Sequence, residues 1–144
     1  MIISNYMKSE HRACDTEFAD AEKAVIDGDF EKAQDTFVRF AEDTLGHFTK
    51  EEEILFPVFE EVTGSTEGPT NMMRYEHEQM RELIGRLAGA VEETDKDAYL
   101  SIAESMMILL QQHNMKEEQM LYAMCDRVIP VATKEETIEA LKKA

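Results

Sequence analysis

Apolar residues recur along this chain in alternating steps of three and four, the spacing that turns one face of a helix inward. The first such stripe is Met7, His11, Cys14, Phe18, Ala21 and Val25, predicting a helix from about Ser4 to Asp27. Gly28 ends it, and Asp29 is placed to cap the next. A second stripe, Phe37, Phe40, Thr44, His47, Glu51, Leu55 and Val58, predicts a helix from about Phe30 to Val62, with Pro57 bending it or ending its regular part. The segment Gly64-Ser65-Thr66-Glu67-Gly68-Pro69 reads as the clearest loop. A third helix, about Thr70 to Thr94, carries Met73, His77, Met80, Ile84, Leu87 and Val91. A fourth runs from the turn at Asp95 to about Val128 and carries Ala103, Met106, Leu110, His113, Glu117, Met120 and Met124. Pro130 stops it, and a short fifth helix follows, with Thr133 and Glu136 in capping-box spacing and Ile138 and Leu141 to dock it.

Period-two alternation is missing, so strands find no support. Four long helices with short connections predict an all-α, up-down-up-down four-helix bundle with a short C-terminal fifth helix. The 144 residues suit one domain, with the bundle core at about 4–128 and the last helix at about 134–143. No internal repeat and no low-complexity tract stands out.

Composition narrows the function. The net charge of −16 repels phosphates, which argues against nucleic acid and anionic membranes as partners. No stretch is long enough to cross a bilayer, and Met1 to Tyr6 lacks the basic region and apolar run of a signal peptide. Cys14 and Cys125 form no CxxC pair and read as core thiols, which together with the missing signal gives a cytoplasmic expectation. The ten methionines read as core filler.

The informative feature is polar residues on the apolar stripes. The chain has four histidines, and His11, His47, His77 and His113 each fall on the inward face of a different long helix. Two are followed four residues later by glutamate, as His47…Glu51 and His113…Glu117, which puts both side chains on one face a turn apart. Glu52, Glu53 and Glu118 read instead as solvated. Burying imidazoles and carboxylates costs free energy that metal–ligand bonds can offset. Their heights also match. His11 lies about 17 residues before the turn at Gly28 and His47 about 19 after it, so at roughly 1.5 Å per residue they differ by about 3 Å. His77 and His113 are each about 18 residues from the turn at Asp95. Imidazole with carboxylate suits Fe, Mn or Zn. Structural zinc prefers thiolate, and neither the Glu-x-x-His of ferritin-like bundles nor HExxH is present.

Glu10-His11, His47-Phe48-Thr49-Lys50-Glu51 with Leu55-Phe56-Pro57, Glu76-His77, and His113-Asn114-Met115-Lys116-Glu117-Glu118 together resemble the hemerythrin-like family, the HHE cation-binding domains. The resemblance spans roughly Glu10 to Glu118 and implies a single hemerythrin-like domain over 1–144. It implies two non-heme iron ions, with Mn or Zn less favoured, bridged by Glu51 and Glu117. His11 and His47 would serve one iron, His77 and His113 the other. Oxygen-carrying members end the last motif with an Asp five residues after the histidine. Glu118 holds that place here, and Glu117 is the preferred bridge. Those members also carry a histidine four residues after the third-helix one, where this chain has Arg81. Arginine stays protonated and cannot ligate iron. Water, Glu78, Glu118 or Tyr122 are the candidates to fill the gap, single-metal occupancy is the alternative, and Arg81 either snorkels outward or pairs with a site carboxylate. The implied function is binding of, or reaction with, a small oxidant such as O2, NO or peroxide. The alternative is a non-catalytic iron-sensing or iron-storage module. No feature specifies an oligomeric state, and neither enzyme nor carrier is singled out.

Overall fold

The protein is described here from a computed structural model covering residues 2–144. Five helices are present and no strand occurs among the described residues: α1 (Ile2–Ile26), α2 (30–63), α3 (Pro69–Glu92), α4 (96–128) and α5 (Val131–Lys143). No helix is long and apolar enough to cross a membrane among the described residues. The loops at Gly28 and Thr94 are tight, so α1 packs antiparallel to α2 and α3 to α4, and the two hairpins close on each other as the four-helix bundle.

Each hairpin turn works by the same local chemistry. Gly28 has φ of +75° and Thr94 +54°, reversing the chain after α1 and α3. Asp29 Oδ1 then accepts from Lys32 N–H at 3.1 Å, and Asp95 Oδ1 from Ala98 N–H at 3.0 Å, capping α2 and α4. The start of α1 is capped from another helix: Asp126 of α4 accepts from Ile3 N–H, Ser4 N–H and the Ser4 hydroxyl.

The apolar core is in two pieces. One, at the Gly28 and Thr94 end, includes Phe18, Phe37, Phe40, Ile84, Leu87 and Tyr99. The other, toward α5, includes Met7, Leu55, Phe56, Tyr122, Cys125 and Leu141. The histidines and inward glutamates occupy the layer between them.

α2 and α4 differ from regular helices at one place each. Glu51–Leu55 and Glu117–Leu121 each form a single π turn, in which Phe56 N–H reaches Glu51 O and Tyr122 N–H reaches Glu117 O, five residues back. One extra residue per turn moves the inward face forward by one position. Beyond these turns the buried residues are therefore Phe56 and Phe59, not Val58, and Leu121, Tyr122 and Cys125, not Met120 or Met124. Met120 is 57% exposed. The π turn also explains why Pro57 neither ends nor breaks α2. Pro57 has no N–H to give to the Glu52 carbonyl five residues back, and Arg74 Nη1 donates to that carbonyl at 3.2 Å.

Two further expectations change. α5 begins at Val131 behind Pro130, so Thr133 lies inside its first turn and caps nothing; Ile138 and Leu141 do dock it. The chain also contains a repeat. Glu10-His11 recurs as Glu76-His77, the set His47, Lys50, Glu51, Glu52 as His113, Lys116, Glu117, Glu118, and the caps and π turns recur with them, all at a spacing of 66 residues. Some core positions keep identity across it, as Ala24 and Val25 against Ala90 and Val91, but others do not, as Phe18 against Ile84 and Phe40 against Met106. That divergence conceals the repeat in the sequence.

Candidate metal centre

His11 comes from α1, His47 and Glu51 from α2, His77 from α3, and His113 and Glu117 from α4. All six are at most 5% exposed. Their donor atoms fall into two groups, Glu51, His77, His113 and Glu117 in one and His11, His47 and Glu117 in the other, with the atoms of each group within 4.8 Å of one another. Glu51 and Glu117 lie at the starts of the two π turns, facing each other between the groups. His11 Nε2 is 3.1 Å from His47 Nε2 and 3.0 Å from Glu117 Oε1. His77 Nε2 is 3.2 Å from Glu51 Oε1, and His113 Nε2 is 3.3 Å from Glu117 Oε2. Metal–ligand bonds of roughly 2.0–2.2 Å at right angles place neighbouring donors about 3 Å apart, so these separations suit donors sharing an ion.

Each histidine is held from behind by a carboxylate. Nδ1 of His11 meets Glu118 at 2.7 Å, that of His47 meets Glu10 at 2.8 Å, that of His77 meets Glu52 at 2.7 Å, and that of His113 meets Glu76 at 2.8 Å. An ionised carboxylate only accepts, so each ring keeps its proton on Nδ1 and turns Nε2 into the bundle. Three of these carboxylates also hold a cation: Glu10 with Lys50 at 2.6 Å, Glu76 with Lys116 at 2.5 Å, and Glu52 with Arg81 at 2.7 Å. Burial alone would raise the Glu10 carboxyl, but hydrogen bonds from His47 and Lys50 outweigh it and hold it at about 2. Glu52 is likewise held at about 2, against burial, by His77 and Arg81.

The inner face thus has a surplus of acceptors. A ring with its single proton on Nδ1 presents an Nε2 lone pair, Glu51 and Glu117 present carboxylate oxygens, and the Tyr122 hydroxyl is a donor among them, at 2.8 Å from Glu51 Oε2 and 2.9 Å from Glu117 Oε1. Among the described residues, Glu51 Oε1, His77 Nε2, His113 Nε2 and Glu117 Oε2 are buried without a hydrogen-bond partner. Leaving such a group unsatisfied costs about 1–3 kcal/mol each. A cation among them satisfies all four at once, so the residues fit a metal.

Electrostatics agrees. Burial opposes charge on His11, yet Glu117, Glu51 and Glu118 overcome it and raise its pKa to about 9. His77 is raised to about 9 against burial by Glu51 and Glu52, and His113 is raised against burial by Glu117 and Glu51. The layer attracts positive charge, which either protons or metal ions can supply.

The structure brings together all six residues singled out from the inward stripes. It corrects the reading of Glu52 and Glu118, which are half-buried partners of His77 and His11 and not solvated. Glu53 is exposed as expected. Arg81 takes the inward-pairing option through Glu52, and Glu78 is 73% exposed on the outer side of Arg81, away from both donor groups. Sequence reasoning assigned no role to Glu10 and Glu76. The available signal was that a glutamate precedes the histidine of both α1 and α3. Cys14 and Cys125 are free, buried and outside both groups. Burial pushes the Cys14 thiol up to about 11 and the Cys125 thiol further still, so both stay protonated.

Among curated proteins and solved structures, none matches the chain. The hemerythrin HHE cation binding domain matches it over residues 2–125. Those residues include all four helices of the bundle through the second π turn and every side chain of the two donor groups, and the chain belongs to the hemerythrin HHE cation-binding family.

Proposed function

We propose that this bundle is a non-heme di-iron protein that binds or reacts with a small oxidant, O2, NO or peroxide. His11 and His47 hold one iron, His77 and His113 the other, and Glu51 and Glu117 bridge them. The observation that carries the reading is the set of four partnerless buried atoms, Glu51 Oε1, His77 Nε2, His113 Nε2 and Glu117 Oε2, converging from three helices. Imidazole and carboxylate donors without a thiolate favour iron over structural zinc.

Bound iron supplies the electrons and a coordination position for the small molecule. The chain supplies the rest. Glu10, Glu52, Glu76 and Glu118 fix the ring protons at Nδ1 and so keep each Nε2 available. Phe48 stacks on His77 with ring centres 4.2 Å apart, and Phe56 lies on its other side at 5.8 Å, walling that half with hydrocarbon and excluding water. Before metal binds, the Tyr122 hydroxyl holds a proton at Oη between Glu51 and Glu117.

The test is anaerobic loading with Fe(II), followed by air, peroxide or NO and watched by visible absorption. Iron at up to two per chain with an absorption change on oxidant is expected. The double substitution His113→Ala with Glu117→Ala should remove most of the iron. Full metal content in that variant would overturn the ligand assignment. Metal uptake with no response to any of the three oxidants would favour a storage or sensing module.

A further inference from the structure

The 66-residue repeat matches the four histidines, the two inward glutamates and the four carboxylates behind the rings with identical residues, but positions 56 and 122 differ. Position 56 and position 122 each follow a π turn directly, and each side chain points into the layer of histidines. One is Phe, the other Tyr. The Tyr122 hydroxyl stands 3.1 Å from His11 Nε2, 3.4 Å from His47 Nε2, 2.8 Å from Glu51 Oε2 and 2.9 Å from Glu117 Oε1. It therefore sits at donor–donor distance from all four neighbours of the His11–His47 half. Phe56 offers only a ring face to His77, with ring planes 15° apart. The partnerless atoms follow this division: all four belong to the donor group on the Phe56 side, and none to His11 or His47.

Resting on the di-iron reading above, we infer that Tyr122 Oη is a direct ligand of the metal held by His11 and His47, and that the open coordination position lies on the metal held by His77 and His113. Counting donors gives the asymmetry. The first metal has His11, His47, Tyr122 and the two bridging carboxylates. The second has His77, His113 and the same carboxylates. Arg81, where oxygen-carrying relatives were expected to add a histidine, is engaged with Glu52 behind His77. Position 81 thus adds no donor to the second metal, while position 122 adds an oxygen to the first.

Binding here exchanges a proton for a metal. The Tyr122 O–H bond breaks, the oxygen keeps the electron pair and shares it with the metal, and the proton leaves to solvent; nothing is oxidised or reduced. Phenolate is an established ligand of ferric iron. The other tyrosines do not compete. Tyr6 is bonded to Glu10 and Lys50 outside the layer, Tyr75 is 66% exposed, and Tyr99 is in the other core cluster.

The experiment loads the full chain with Fe(II), oxidises it in air, and records iron content, visible absorption and resonance Raman spectra for the wild type, Tyr122→Phe and Phe56→Tyr. The wild type should show a phenolate-to-iron charge-transfer band with enhanced phenolate ring vibrations. Tyr122→Phe should keep iron and lose both. Phe56→Tyr should double the band, by adding a phenolate to the second metal, and should lose the azide binding expected of the wild type. Iron-loaded wild type without phenolate vibrations overturns the inference, as does their persistence in Tyr122→Phe or azide binding unchanged in Phe56→Tyr. Should Tyr122→Phe fail to hold iron, the wild-type Raman spectrum decides alone. A wild type that takes up no iron overturns the di-iron reading itself, a separate result read from metal content before any spectrum.

Discussion

The carboxylate of Glu10 does not serve its chain neighbour His11; it accepts from Nδ1 of His47, on the facing helix, at 2.8 Å. Glu76 does the same for His113 at the same distance, while Glu52 and Glu118 return the contact from α2 to His77 and from α4 to His11. Each histidine is thereby oriented by another helix, so the layer forms only when the four helices are assembled.

Substitution of Glu76 by Ala should therefore weaken metal binding without touching a donor atom. His113 would lose the acceptor that fixes its tautomer, and such losses lower metal affinity about 10–100-fold. Competition with a chromogenic chelator measures this. Affinity equal to wild type would show that the contact does not orient His113.

The pH response of metal-free protein should run opposite to its metal affinity. His11 and His77 have folded-state pKa values near 9 against an ordinary 6.5, because neighbouring carboxylates outweigh burial. A raised folded value means that the native state binds more protons than the unfolded state. The stabilisation is complete below about 6.5 and is lost as pH rises through about 9. Metal competes with those same protons, so its affinity increases across that window. Thermal melts with and without metal from pH 6 to 9 should diverge, the apoprotein falling and the metal-dependent increment growing. An apoprotein melting temperature that rises over this range would contradict the assignment.

Glu51→Gln should separate stability from binding. Burial and the adjacent Glu117 carboxylate push the Glu51 carboxyl up, so metal-free protein carries a strained pair of buried acids. An amide removes one ionisable group at nearly the same shape. Metal-free Glu51→Gln should melt at or above the wild-type temperature while losing the bridged metal pair. Lower stability together with intact metal uptake would reverse both expectations.

Asp29→Ala acts at the far end of the bundle. Loss of the bond to Lys32 N–H should cost about 1 kcal/mol, equivalent to about 2–4 °C in melting temperature for a domain of this size. Metal content should not change, since His47 lies about 27 Å along α2 at roughly 1.5 Å per residue. A change in metal content would mean that the turn and the metal layer are coupled.

The helices and the inward position of six polar side chains were legible because the α-helical period is a local property: from the stripe through Phe40 and Thr44, the inward placement of His47 and Glu51 follows by counting. The same counting fails within two turns of Glu51 and one of Glu117: Leu55 still turns inward, but Val58 and Met120 do not. A π turn shifts the face, and nothing in Glu51-Glu52-Glu53-Ile54-Leu55 announces a bond five residues back. Phe59 and Tyr122 were displaced from their expected faces for that reason. The outer carboxylates were missed because their partners lie on other helices: Glu52 reads as solvated until His77 and Arg81 are beside it. The sequence alone determined which side chains turn inward. The assembled bundle decided which of them meet, because contacts between helices depend on packing and on one irregular turn in each of α2 and α4.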